Sequence, residues 1–313
     1  MARTCDRRSF MKKSVAAGAA YIAAGALSQP LLRAMPKSIL TPSGPEVVCV
    51  TGENYYEGTR RAVHHLGGMR EFVSNGSVVG LLVNSRFRHP GTYAKPQIAL
   101  AVIAMCHEAG AKRVISLEDA PGRYWKAATL SKELSEYVDA IESPGGYATR
   151  AIPDGVRLKE AEFLRDLFEC DVLINIGIAK DHEGTRFTGQ LKNIMGSTSG
   201  SSNEYFHKGS NARGYYDDVE FLSGCIADAN RIRKPSLSLN DVSDVILTNG
   251  PFGPGKIGSY RTIVAGTDPV AVDAVSATVI GLDPKNIAMI SFASEYGIGV
   301  GDLSRIQTTT VKI

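Results

Sequence analysis

The sequence is short of the patterns that usually announce a chemistry. It has no C-x-x-C pair, and Cys49, Cys106, Cys170 and Cys225 lie far apart in apolar contexts. Cysteines so scattered do not build a disulfide scaffold, and they lack the clustered spacing of iron–sulfur ligands. They read as small buried hydrophobes, with pairing left open in an oxidising compartment. No H-x-x-x-H or H-E-x-x-H pattern marks a metal site. Walker and Rossmann glycine loops and the G-x-S-x-G elbow are missing too. There is no internal repeat and no low-complexity tract. What remains is ordinary globular composition, 43% hydrophobic and 21% charged, over 313 residues.

The N-terminus has its own character. Arg7-Arg8-Ser9-Phe10-Met11-Lys12-Lys13 is a twin-arginine sequence, followed by an Ala/Gly-rich stretch over 15–27. Charged residues, a short apolar stretch and small residues together predict an export signal over 1–34. The apolar stretch is too short and too glycine-rich to anchor in a bilayer. Cleavage is expected near Ala26 or Ala34; an uncleaved signal would tether the protein to a membrane. Residues 1–29 carry a net +4 against +3 for the whole chain, which leaves the remainder at −1. The basic balance belongs to the signal and argues against nucleic-acid binding. The expected partner is the twin-arginine export machinery, and the expected location is periplasmic or extracellular. That route carries folded proteins, many of them loaded with a cofactor.

Prolines 30, 36, 42 and 45 make 35–45 a linker. Apolar strands then alternate with helical segments through 46–313. Strands are predicted over 47–51, 78–83, 113–117, 172–176, 242–247 and 262–265, with a last edge strand over 308–313. Helices are predicted over 56–66, 96–108, 127–138, 158–168, 217–232, 269–280 and 287–296. This alternation predicts a single α/β domain, a largely parallel sheet with helices on both faces, with two lobes an option. No membrane span is expected in the mature chain.

Ligands of such sheets bind beyond the carboxyl ends of the strands. There the sequence places Asn84–Thr92, Glu118–Gly122, the stretch from Ala179, the Asn249–Lys256 loop and Gly266–Pro269. If all strands run parallel, these loops converge. An extended Lys180-Asp181-His182-Glu183 puts Lys180 and His182 on one side and the acids on the other. Thr188 is placed to cap a helix starting near Gly189, whose amides would favour an anion beside Lys180, His182, Lys192 and Asn193. Alternatively the stretch is a solvated loop with an ordinary cap. Asp268 reads as an N-cap with Pro269 at N1. Asp273 is the one charge between Pro269 and Leu282; it either bonds loop amides or pairs with a site lysine or a metal. Asn249 and Gly250 begin a Gly/Pro loop that lets backbone approach a ligand. Of the other histidines, His89 ranks next after His182.

These residues resemble a family. Asn175…Lys180-x-His182…Thr188-Gly189-x-Leu191-Lys192-Asn193-x-x-Gly196 is similar to the signature of a prokaryotic family of unknown function, domain of unknown function 362. Asn249-Gly250-Pro251 and Gly266-x-Asp268-Pro269-Val270-Ala271-Val272-Asp273 match two further elements, and Glu118-Asp119 falls where the family tends to have G-D-S. Gly177-Ile178 replaces the family's usual Pro-Lys. Many relatives carry a ferredoxin-like cysteine segment, which this chain lacks. The resemblance implies the fold and the site rather than a reaction.

The resulting expectation is an exported enzyme with an anion- or metal-assisted site, redox-linked chemistry being an option. Lys180, His182 and Asp273 would be catalytic, His182 or Asp273 handling protons or holding a metal with Asp268. Lys192, Asn193, Thr188, Asn249 and Gly250 would bind a small anionic ligand or cofactor. The alternative is a non-catalytic periplasmic ligand-binding or cofactor-maturation protein.

Overall fold

Two apolar runs, Val78–Val83 and Val172–Ile178, become inner strands. A computed structural model describes residues 44–313 apart from 119, 129 and 210–217. The expected signal, most of the linker and Asp119 lie outside the described residues. The strands are β1 (Glu46–Thr51), β2 (Val78–Val83), β3 (Arg113–Ser116), β4 (Tyr147–Ala151), β5 (Glu160–Leu164), β6 (Val172–Ile178), β7 (Leu237–Ile246), β8 (Ile257–Gly266) and β9 (Gln307–Lys312). The helices that matter below are α1 (Tyr55–His65), α2 (Pro96–Ala109), α3 (Lys132–Asp139), α4 (Gln190–Asn193), α5 (Gly200–Lys208), α6 (Val219–Ala229), α7 (Pro269–Val279) and α8 (Ala288–Glu295). Among the described residues no helix is long and apolar enough to cross a membrane.

The main sheet has the order β3-β2-β6-β7-β8-β1-β9. Its fully buried β6 sits between β2 and β7, parallel to both. This is the expected α/β architecture, with one reversal. β8 runs antiparallel to both β7 and β1. The loop joining β7 to β8, residues 247–256, is too short for the crossover that a parallel neighbour needs. The Gly266–Pro269 turn therefore lies at the opposite edge from the loops after β2, β6 and β7. Asp268 stays there as a cap: its carboxylate accepts from Val270 N (2.9 Å), Ala271 N (3.0 Å) and Val300 N (3.0 Å).

The helix expected over 158–168 is not formed. β5 takes its middle and pairs antiparallel with β4 in a separate two-stranded sheet, and only one helical turn, Asp166–Glu169, forms at its end. The buried Asp228 carboxylate of α6 accepts on one oxygen from the amides of Val156, Arg157 and Leu158, and holds the chain in a bend just before β5. Local punctuation elsewhere worked as expected. Pro96 starts α2 and Gly110 ends it at φ 94°, a conformation that costs glycine little.

One polar network fixes α4 against the sheet. Thr188, expected to cap this helix, does not; its hydroxyl has no hydrogen-bond partner. The cap comes from α7 instead. Asp273 Oδ1 accepts from Gln190 N (2.6 Å) and Oδ2 from Leu191 N (2.9 Å), while Asn240 Nδ2 donates to Oδ1 (2.8 Å). Gly189 makes this approach possible, since a Cβ there would lie 2.1 Å from Asp273 Oδ1. Asn175 donates to Gln190 O (3.0 Å), and Asn193 donates to Asn175 Oδ1 (2.7 Å). A four-residue helix has little stability of its own; these bonds supply its position.

Replacing Asp273 by alanine strands three buried donors, and we expect a loss of about 3 kcal/mol in unfolding free energy. Asp273→Asn, which keeps one acceptor, should cost less. Urea denaturation of both variants measures this, and an unchanged midpoint in Asp273→Ala would contradict the capping role.

Candidate functional site

Three loops meet at the carboxyl edge of the parallel strands. The loop after β2 is tied in by Asn84 N donating to Ile176 O (2.9 Å) and Ile246 N donating to Gly91 O (3.0 Å). The loop after β6 folds on itself: Lys180 N donates to Thr188 O (3.2 Å) and Thr188 N to Lys180 O (2.8 Å). The β7–β8 loop is pinned by Asp181, whose Oδ2 accepts from Gly250 N (2.8 Å). Gly250 O accepts from Glu183 N (3.1 Å). The expected division is seen. Asp181 serves the neighbouring loop, while Lys180 and His182 face an interior cavity of about 300 Å³.

Lys180, His182, Thr188, Lys192 and Asn193 all line this cavity, as do Asn84, Glu118, His207, Pro251 and Phe252. Asp273, Asn249 and Gly250 do not belong to its lining. Asp273 lies behind α4; burial pushes its carboxyl up to about 6 in spite of its hydrogen bonds. Asn249, at φ 58°, donates to Pro254 O (3.1 Å) within its own loop. Gly250 is glycine because a Cβ would lie 1.9 Å from Asp181 O. The β7–β8 loop reaches the cavity through Pro251 and Phe252 instead.

Two lysines dominate the charge of the cavity. Lys180 is fully buried. Its ammonium donates to Thr92 O and Pro251 O and sits 3.8 Å from the centre of the Phe87 ring. Burial, then the charge of Lys192, hold its pKa well below the ordinary lysine value. Lys192 is pushed down to about 8 by burial. Among the described residues its ammonium bonds only Met195 Sδ, at 3.4 Å, a weak acceptor. Neither lysine has a carboxylate within 4.0 Å among the described residues.

The two histidines are set in opposite senses. His182 Nδ1 accepts from Gly184 N (3.0 Å) and Thr185 N (3.2 Å), so the neutral ring carries its proton on Nε2. Burial, then Lys192, His207 and Lys180, push its pKa down to about 2. His207 Nδ1 lies 2.7 Å from Asn203 O and so carries its proton there. Burial, then Lys192, push it down to about 4. Glu118 is shifted the other way. Burial raises its carboxyl to about 7, moderated by Arg86 (3.6 Å) and Lys180.

Glu118 and His207 were not singled out from sequence. Glu118 stood at a strand end without a role, and its usefulness depends on burial that no local pattern encodes. His207 lies on α5 and lines the cavity. His89, ranked above it, lies beside Gly253, outside the cavity lining. No group of three His, Cys, Asp or Glu side chains among the described residues could hold a metal ion, and Asp268 and His182 are not brought together. A groove of about 450 Å³ lies between α1 and α2. It is more open, and Arg60 and Glu108 neutralise each other there at 2.8 Å.

No curated protein matches the chain. Among solved structures, the lactate racemase apoprotein from Thermoanaerobacterium thermosaccharolyticum aligns at 14% identity and a TM-score of 0.43, covering 69% of this chain and 54% of that one. A protein from Thermotoga maritima aligns at 14% identity and a TM-score of 0.41, covering 78% and 60%. The chain thus spans little more than half the length of these structures. Residues 79–278, which include every residue lining the cavity, match the family described as "Domain of unknown function (DUF362)". The chain belongs to that family.

Proposed function

We propose that the cavity binds a small organic anion and that the protein is an enzyme moving a proton on it. The observation that supports this best is Lys192. Its half-buried ammonium lines a cavity and, among the described residues, meets only a thioether, while the fully buried ammonium of Lys180 belongs to the same lining. Buried cations are ordinarily paired. An anionic ligand would supply the missing charge.

In this reading Lys192 contacts the anion directly, and Lys180 acts through its field while its own donors hold the loops. His182 lines the same wall; the hydroxyl of Thr188, unpartnered among the described residues, donates to the anion, and the amide oxygen of Asn84, likewise unpartnered there, accepts from a hydroxyl elsewhere on the ligand. Glu118, close to its midpoint near neutral pH, is the group suited to give or take a proton. Pro251 and Phe252 form an apolar wall, and Phe252 is 62% exposed. We further propose from 1–34 that the protein is exported by the twin-arginine route. The alternative of a non-catalytic binder is favoured by the low pKa of His182, which makes that ring a poor base.

Calorimetry with propionate and inorganic phosphate tests the anion site. Lys192→Met should weaken both by about tenfold or more, with thermal stability unchanged or raised. Equal affinity in wild type and variant contradicts the reading.

The pH dependence has a definite sign. Above about 7 Glu118 gains a negative charge, and above about 8 Lys192 loses its positive one. Both changes oppose an anion, so affinity should fall steadily from pH 6 to pH 9. Glu118→Gln should remove the lower part of that fall and leave the upper. A native ligand, once recovered from the folded protein and identified by mass spectrometry, separates the enzyme from the binder. Turnover lost in Glu118→Gln supports catalysis; tight retention without turnover supports the alternative.

A further inference from the structure

A second, smaller cavity of about 150 Å³ adjoins the first, and Phe87 lines both. Its other walls are Ser85, Arg88, Tyr93, Arg123 and Tyr124. Four of the nine buried side-chain polar atoms that lack a partner among the described residues belong to the linings of these two cavities. Asn84 Oδ1 and Thr188 Oγ1 belong to residues of the first cavity, and Ser85 Oγ and Tyr124 Oη to residues of the second. Ser85 is 1% and Tyr124 3% exposed. A native interior rarely leaves such hydroxyls unsatisfied, and their clustering in cavity walls points to a bound group.

The second cavity also presents positive charge. Arg88 and Arg123 are exposed, and neither has a carboxylate within 4.0 Å among the described residues. Arg123 donates to Arg86 O, which holds its side chain against the loop after β2. Tyr124 is packed edge-on against Tyr93 (6.0 Å) and Trp125 (4.8 Å), so its hydroxyl has little freedom. Burial, then the charge of Asp241, hold the phenol well above its usual pKa, which keeps it a donor. Two guanidinium groups and two hydroxyls form a donor set suited to a carboxylate or phosphoryl group.

We propose that this cavity is a second anion subsite, which takes the far acidic group of the same ligand whose first acidic group lies at Lys192. The inference rests on the function proposed above and narrows the ligand class to molecules with two separated acidic groups. The two linings meet at the Phe87 ring, so the groups must be joined by a spacer that passes it. A compact anion such as phosphate occupies one subsite only.

Calorimetry on the full protein with propionate, succinate, glutarate, adipate and pimelate tests this. One diacid length should bind about tenfold or more tightly than propionate, because the second contact is made intramolecularly. That gain should vanish in the Arg88→Ala/Arg123→Ala variant and shrink in Tyr124→Phe. The part of propionate binding that Lys192→Met removes, which reports the first subsite, should be the same in wild type and double variant. Replacing the far carboxylate by a phosphonate at the preferred length shows which acid the subsite takes. If affinity ignores spacer length, or the gain survives the double variant, the second subsite is wrong while the first stands. If Lys192→Met leaves propionate binding unchanged, the first reading fails and this one falls with it.

Discussion

The arrangement at the carboxyl edge depends on one ammonium that water does not reach. Lys180 comes from the end of β6, its carbonyl partners come from the loop after β2 and from the β7–β8 loop, and the Phe87 ring covers it. Carbonyl dipoles and an aromatic face offset part of the cost of burying a cation, but they do not cancel its charge. The uncancelled field is felt by its neighbours. It adds to the depression of His182 and holds Glu118 from rising further. Lys180 thus ties the loop geometry to part of the site electrostatics, while burial supplies the larger share of each shift.

Behind the cavity the charge logic is inverted. Asp273 is a buried acid surrounded by amide donors, and it fixes the start of α4 from a different element. An acid there engages the first amides of α4 on the side away from the cavity. The helix start therefore offers the cavity side chains, Lys192 and Asn193, in place of a ring of backbone donors. Asn193 in turn spends its amide on Leu82 O, Asn175 Oδ1 and Ile176 O. Lys192 is left as the reaching group.

How much of this was legible in the sequence depended on how local the cause was. Apolar runs marked β2 and β6, Pro96 and Gly110 bounded α2, and Asp268-Pro269 opened α7, because each depends on its own backbone. Lys180 and His182 were placed on one side by simple alternation. The strand β5 was hidden, because Asp228, some seventy residues away, takes the amides that precede it. The reversal of β8 was hidden because strand direction follows from loop length and pairing partners. Glu118 and His207 looked ordinary, since their importance comes from burial beside lysines on other elements. Asp273 was marked as odd, and the structure resolved it toward the amides.

The β7–β8 hairpin has a consequence for how such a molecule can diversify. β7 runs on past its last pairing with β6 at Asp241, and its turn carries Pro251 and Phe252 to the cavity. Loops joining parallel strands must contain a crossover, so their length is coupled to the packing of whole helices. A hairpin turn has no such obligation, and insertions there leave strand order untouched. Beyond the Gly250 and Pro251 contacts, the roof of the cavity is thus the wall that can be rebuilt most cheaply. Homologous chains can change the size of what they admit by altering this turn, while the charged floor stays as it is.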